Sequence, residues 1–266
     1  VIEVSGPPQQ LTFGLIHGSW VGPESLFPTR DALHELGHRA IVVEGLPTLD
    51  PRATSEDHAR VAARQLSGQR LDMLMAHSGG AQLAPEVINL LGAKNIGHFL
   101  AVSGSFGDPS PDTPTDALLA TIPRQRNSGG FRDAIITLPD GTTIFNPTEA
   151  RGFFFNDLPR DLGELAVGRM HRGYRLADRA LPSKLDVPAT YALGDMDMVR
   201  DHDWALAIAR ALGWGFVKMN GGHSLPYTRP RELARVMVGL ATQSSSPTQH
   251  IPSQRRDTTA DQRQTR

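Results

Sequence analysis

Between Leu11 and Val102, short apolar runs bounded by turn residues alternate with stretches of helical period, and no other feature of the chain limits its fold as tightly. The spacing predicts strands at Leu11–His17, Arg39–Val43, Leu71–Ala76 and Ile96–Val102, with helices at Ser25–Leu36, Thr54–Gln65 and Gly79–Leu91 between them. Each helix is long enough to cross back over a sheet, so the pattern calls for βαβ units around a mostly parallel sheet with helices on both faces.

The rhythm breaks at about Phe106 and resumes near Lys184, with strands Ala189–Leu193 and Gly215–Met219 and helices His202–Leu212 and Pro230–Leu240. Residues 106–183 therefore read as an insertion, a cap, between two pieces of one core, 1–105 and 184–242. Within the insertion, Leu138-Pro139-Asp140-Gly141 predicts a hairpin over Ala134–Phe145. Leu162, Ala166, Met170, Tyr174 and Ala177 share one face of a helix expected over Pro159–Ala180. From Gln243 to Arg266 the chain is polar, with Ile251 its one large apolar residue, and is expected to be a disordered tail.

Composition narrows the chemistry. The 266 residues contain no cysteine, which removes disulfides, thiolate nucleophiles and Cys-held zinc. A net charge of −1 offers no basic field for a nucleic acid. No apolar run is long enough for a membrane span, and Val1–Gln10 has no basic and apolar leader pattern, so the expected location is cytoplasmic.

The strand expected at Leu71–Ala76 runs into Ala76-His77-Ser78-Gly79-Gly80 and then a helix, the context of a nucleophile elbow in which a sharp turn exposes a serine. Ala76 and Gly80 are small enough for strand and helix to approach there. After the first strand, His17-Gly18-Ser19-Trp20 forms a loop whose Ser19 amide can pair with the Gly79 amide as an oxyanion hole, the His17 ring being tied to loop carbonyls. Two later strands run into Gly194-Asp195-Met196-Asp197 and Asn220-Gly221-Gly222-His223, so an acid and a histidine reach the same rim in the order Ser, Asp, His. Asp195 and Asp197 both qualify as the acid, and Asp108 is a third candidate.

Taken with His34-Glu35-Leu36-Gly37-His38 and the strand that follows it, these motifs resemble the α/β-hydrolase superfamily. Within it they are similar to the branch of small plant-type methyl esterases and hydroxynitrile lyases with bacterial relatives. The resemblance implies the α/β-hydrolase fold with an inserted cap, and a serine hydrolase acting on a small-molecule carboxylic ester without metal or organic cofactor. It implies Ser78 as nucleophile, His223 as base and Asp197 as the acid orienting that base. The lyases of the branch carry Thr after the first-strand His and Lys after the last His. Gly18 and Ser224 stand there in this chain, which speaks against cyanohydrin cleavage. Trp20, Phe106, Phe153, Phe154, Phe155 and Met170 are the expected pocket wall. The oligomeric state is left open.

Other classes use the same residues differently. A thioesterase or acyltransferase would share the three side chains, and a ligand-binding relative would keep the fold without turnover. His34-Glu35-Leu36-Gly37-His38 also reads as H-E-x-x-H, the signature of a zinc protease, which needs both histidines on one face of a continuous helix. Gly37 is instead suited to end that helix. The acidic run from Asp195 lacks a Gly at the sixth position and a Glu at the twelfth, as a calcium loop requires, and Asp201 is placed to cap the next helix.

Overall fold

The computed structural model describes residues 9–50, 52–106, 130–173 and 185–245. Six of its strands form one parallel sheet: β1 (Thr12–Ile16), β2 (Arg39–Val42), β3 (Met73–His77), β4 (Phe99–Val102), β7 (Ala189–Gly194) and β8 (Gly215–Met219), in the order β2-β1-β3-β4-β7-β8. In the central strands, apolar residues fill alternate faces, as a parallel sheet covered on both sides requires. On one face Ile16, Leu74, Ala76, Phe99, Ala101 and Tyr191 pack against α2 (Ser55–Leu66), α3 (Ala84–Leu91) and α6 (His202–Ala211). On the other, Phe13, Leu15, Met73, Met75, Leu100 and Val102 pack against α1 (Phe27–Glu35) and α8 (Pro230–Ser245).

Helix starts follow local chemistry. Thr54 and Asp57 form a reciprocal capping box at α2, and the Asp201 carboxylate accepts from the Trp204 amide at α6. The segment expected to open as helix Gly79–Leu91 is wound more tightly at first, as a 3-10 turn over Ser78–Leu83, before α3 proper. The motif at His34–His38 does not lie on one helix. α1 ends at Glu35, Gly37 adopts φ +85°, and the two rings accept hydrogen bonds from different amides, His34 from Ala40 and His38 from Leu11.

Between β4 and β7 the expected hairpin forms as β5 (Ile135–Thr137) and β6 (Thr143–Phe145), antiparallel, with Gly141 at φ +82° in the turn. Two helices follow, α4 (Pro147–Phe154) and α5 (Arg160–Val167). The long helix expected from Pro159 stops at Val167. After Gly168 the chain turns out, the His171 amide bonds to the Trp20 carbonyl, and Gly173 exchanges two backbone bonds with Thr143 on β6. Gly163 and Ala166 are the buried residues of α5, while Leu162 is 49% exposed, so the packed face is rotated from the expected one. Tyr174 and Ala177 lie outside the described residues, as does Asp108. α8 runs to Ser245, three residues past the expected boundary, and Ser244 Oγ lies 3.0 Å from His98 Nδ1. Among the described residues, no helix is long and apolar enough to cross a membrane.

Candidate active site

Sheet order places the site. The chain winds outward from β1 to β2, then returns across β1 to β3, leaving a crevice beyond the carboxyl ends of β1 and β3 where ligands settle in open α/β sheets. Ile16 is in register with Ala76, so the loop His17-Gly18-Ser19 runs beside His77-Ser78-Gly79. Ser78 has φ +48°, a left-handed conformation that is costly for a residue with a side chain, by roughly 1–3 kcal/mol. The close approach behind it depends on glycine. A Cβ on Gly80 would collide with the His17 carbonyl oxygen, and one on Gly79 would collide with Ser19 Oγ and stand 3.4 Å from the Ser19 nitrogen. The amide-bearing backbones of Ser19 and Gly79 are therefore neighbours. The His17 ring turns away, its Nδ1 2.9 Å from the Gly18 carbonyl, and burial pushes its pKa below the ordinary histidine value.

Across the crevice, Gly194 on β7 is in register with Met219 on β8, so the loops that follow them are also side by side. The Met196 amide donates to the Gly221 carbonyl, and the Gly221 amide donates to Asp195 Oδ1. Asp197, not Asp195, meets the histidine: Asp197 Oδ2 lies 2.9 Å from His223 Nδ1, and His223 Nε2 lies 3.0 Å from Ser78 Oγ. The Asp197 side chain is wholly buried, and His223 is 1% exposed. Burial opposes ionisation of Asp197, but the imidazole and the amides of Val199 and Arg200 outweigh it, holding its pKa below the usual carboxylate value.

His77, the last residue of β3, directly precedes the serine, and the sequence pattern does not mark it out as part of the site. Its Nε2 lies 3.1 Å from the His223 carbonyl, and its ring centre is 5.2 Å from that of His223. Burial, reinforced by the neighbouring His223, lowers its pKa to about 3, so the ring stays neutral and Nε2 is the donor.

The expected pocket residues fall in two places. Trp20, Phe153, Phe154 and Phe155 form one aromatic cluster with Phe145, and Met170 packs against its edge. Trp20 has φ +58° and donates from Nε1 to Thr143 Oγ1, tying the β1 loop to β6, while the Phe154 ring stands edge-on 5.5 Å from His223. Phe106 is placed otherwise, in the core, where it meets Tyr191 and Trp214 edge-on. A cavity of about 520 Å³ opens beside the site, with Phe27, Leu162, Leu165 and Tyr227 among its walls. It is not lined by Ser78, Asp197 or His223 but by their chain neighbours His77 and Ser224, and Leu162 and Leu165 in its wall are each about half exposed.

A family model described as the alpha/beta hydrolase family matches residues 15–236. The chain belongs to the alpha/beta hydrolase family. Solved structures of the same fold include an extracellular alpha/beta-hydrolase from a Paenibacillus species, 19% identical, with a TM-score of 0.63 over 86% of this chain and 98% of that one. Polyneuridine aldehyde esterase is 18% identical, with a TM-score of 0.68 over 88% and 100%. A methylesterase protein from Arabidopsis is 15% identical, with a TM-score of 0.67 over 88% and 99%. No curated protein matches the sequence. In this alpha/beta hydrolase, the six-stranded sheet and the strand-end loops described above span the matched region.

Proposed function

We propose that this alpha/beta hydrolase cleaves a carboxylic ester through an acyl-enzyme. The observation that carries the reading is the hydrogen-bonded chain Asp197–His223–Ser78, with bonds of 2.9 and 3.0 Å, at the rim where the serine backbone is strained outward. His223 Nε2 takes the hydroxyl proton as Ser78 Oγ attacks the ester carbonyl, and Asp197 keeps the imidazole in the Nδ1–H form and stabilises the imidazolium. The amides of Ser19 and Gly79 hold the oxyanion. Collapse expels the alcohol, which receives the proton from His223. Water activated by the same base then releases the acid. Residues 106–183 act as a cap over this site, joined to the core halves 1–105 and 184–242.

The polyneuridine aldehyde esterase, methylesterase and pyrethroid hydrolase among the structural neighbours are in keeping with an ester substrate. The apolar walls of the neighbouring cavity favour an ester with one bulky apolar half. The test is a panel of aryl, methyl and thio esters, with fluorophosphonate labelling of the protein. Ester turnover and labelling at Ser78, both lost in Ser78→Ala, are expected; turnover that survives Ser78→Ala, or labelling at another serine, would overturn the assignment.

A further inference from the structure

A buried acid that the proposed chemistry does not use lies in the connection between α4 and α5. The Asp157 side chain is wholly buried, 3.3 Å from Arg229 Nη2, and neither of its oxygens has a hydrogen bond of good geometry. A buried carboxylate is costly unless something compensates its charge, and a single long contact to a guanidinium compensates only part of it. The remainder faces the main chain just before His223. A Cβ on Gly222 would stand 3.0 Å from Asp157 Oδ1 and collide with Asn156 Oδ1, and one on Gly221 would stand 3.2 Å from Asp157 Oδ2. Beside it, Asn156 Nδ2 donates to the Met196 carbonyl at 2.9 Å, one residue before Asp197.

We propose that Asn156 and Asp157 are positioning residues that clamp the loops of Asp197 and His223 against each other. One side chain holds the residue before the acid, and the other packs on the two residues before the histidine. Gly221 and Gly222 lack side chains where this contact is made, so the inserted segment reaches the backbone itself. Arg229, just after the short helix α7 (Leu225–Thr228), draws Asp157 toward it and sets the depth of the clamp. A shift of the connection therefore moves both partners of the Asp197–His223 bond, and displacements near 1 Å at such a bond can cost as much as about 100-fold in rate.

The clamp rests on the proposed roles of Ser78, His223 and Asp197, so its test has one arm that needs no substrate. Asp157→Ala and Asn156→Ala are expected to lower kcat roughly 10- to 100-fold with KM within about twofold, and to slow fluorophosphonate labelling of Ser78 in proportion. Asp157→Asn, which restores the shape packed on Gly221 and Gly222, should recover at least half of that loss on a logarithmic scale. In the proton NMR spectrum of the free protein, the resonance of the His223 Nδ1 proton should shift or broaden in Asn156→Ala. Asn156 is partly exposed, so this variant serves if Asp157→Ala does not fold. Loss confined to melting temperature, with kcat, labelling rate and resonance unchanged, would overturn the clamp. A wild type that turns over no ester while the resonance still responds in Asn156→Ala would overturn the ester reading and leave the clamp standing.

Discussion

Acid should destabilise this protein through His77, and replacing that residue should remove a defined part of the effect. In the folded state its pKa is about 3, against an ordinary value of 6.5, chiefly because the ring is buried and secondarily because His223 lies beside it. The folded protein therefore binds fewer protons than the unfolded chain between these values. The stability is fully present above pH 6.5 and is lost as the pH falls from 6.5 toward 3. Between pH 7.5 and 5.0 the unfolded chain gains about 2 kcal/mol from protonating this one side chain, at about 1.4 kcal/mol per pH unit below its ordinary pKa. His77→Gln keeps an N–H that can reach the His223 carbonyl, to which Nε2 now donates at 3.1 Å, but it cannot titrate. Urea unfolding at the two pH values should show the loss of stability in His77→Gln smaller than in wild type by about 2 kcal/mol. An equal loss would refute the argument, because it would mean that the His77 ring takes up its proton as readily in the folded state as in the unfolded chain. The neutrality has a consequence for chemistry. A cation at His77, with its ring centre 5.2 Å from that of His223, would oppose the positive charge the proposed base must acquire.

Three further outcomes are expected. Asp197→Asn should lower ester turnover by about 10²–10⁴-fold through loss of the productive imidazole tautomer, and far more than Asp195→Asn, which keeps an Oδ1 acceptor for the Gly221 amide and does not touch His223; comparable kcat/KM values for the two variants would contradict this. Gly80→Ala should destabilise the elbow, since the added Cβ meets the His17 carbonyl oxygen, and a melting temperature within a degree of wild type would show that the approach is looser than described. A chain ending at Thr242 should be less stable than one ending at Ser245 by about 1 kcal/mol, because only the longer one keeps the Ser244–His98 hydrogen bond, and equal denaturant midpoints would remove that bond from the account.

Much of this arrangement is legible before any coordinates, and what is legible shares a physical cause. The elbow around Ser78 is local: a sharp strand-to-helix turn needs small residues within two positions on either side, and Ala76 and Gly80 stand there. The sheet is legible because each core strand is short, apolar and followed by turn residues, and the hairpin at β5 and β6 because Asp140-Gly141 suits its turn. Sequence alone does not separate Asp195 from Asp197, because both follow β7 within three residues. What separates them is the pairing of the β7 and β8 loops, which leaves Asp195 on the Gly221 amide and Asp197 on the His223 ring. Helix α5 ends sooner than its helical period predicts for a related reason: helical period in the sequence cannot register that the chain after Gly168 finds better partners in the Trp20 carbonyl and in Thr143.

Asn156 and Asp157 mark the limit of such reading. Following Phe153-Phe154-Phe155 and preceding Leu158-Pro159, a polar pair reads as an exposed turn, and nothing nearby in sequence signals that one of the two is buried. The burial of Asp157 comes from loops about 40 to 65 residues further along the chain, brought over it by the pairing of β7 with β8. The side chains proposed for the reaction thus stand at strand ends that local pattern can locate, whereas the angle between Asp197 and His223 depends on contacts from the inserted segment. If so, substitutions in the connection between α4 and α5 should change rate without changing which residues react, and substitutions at Gly80 or Ala76 should instead remove the reactive serine from the rim altogether.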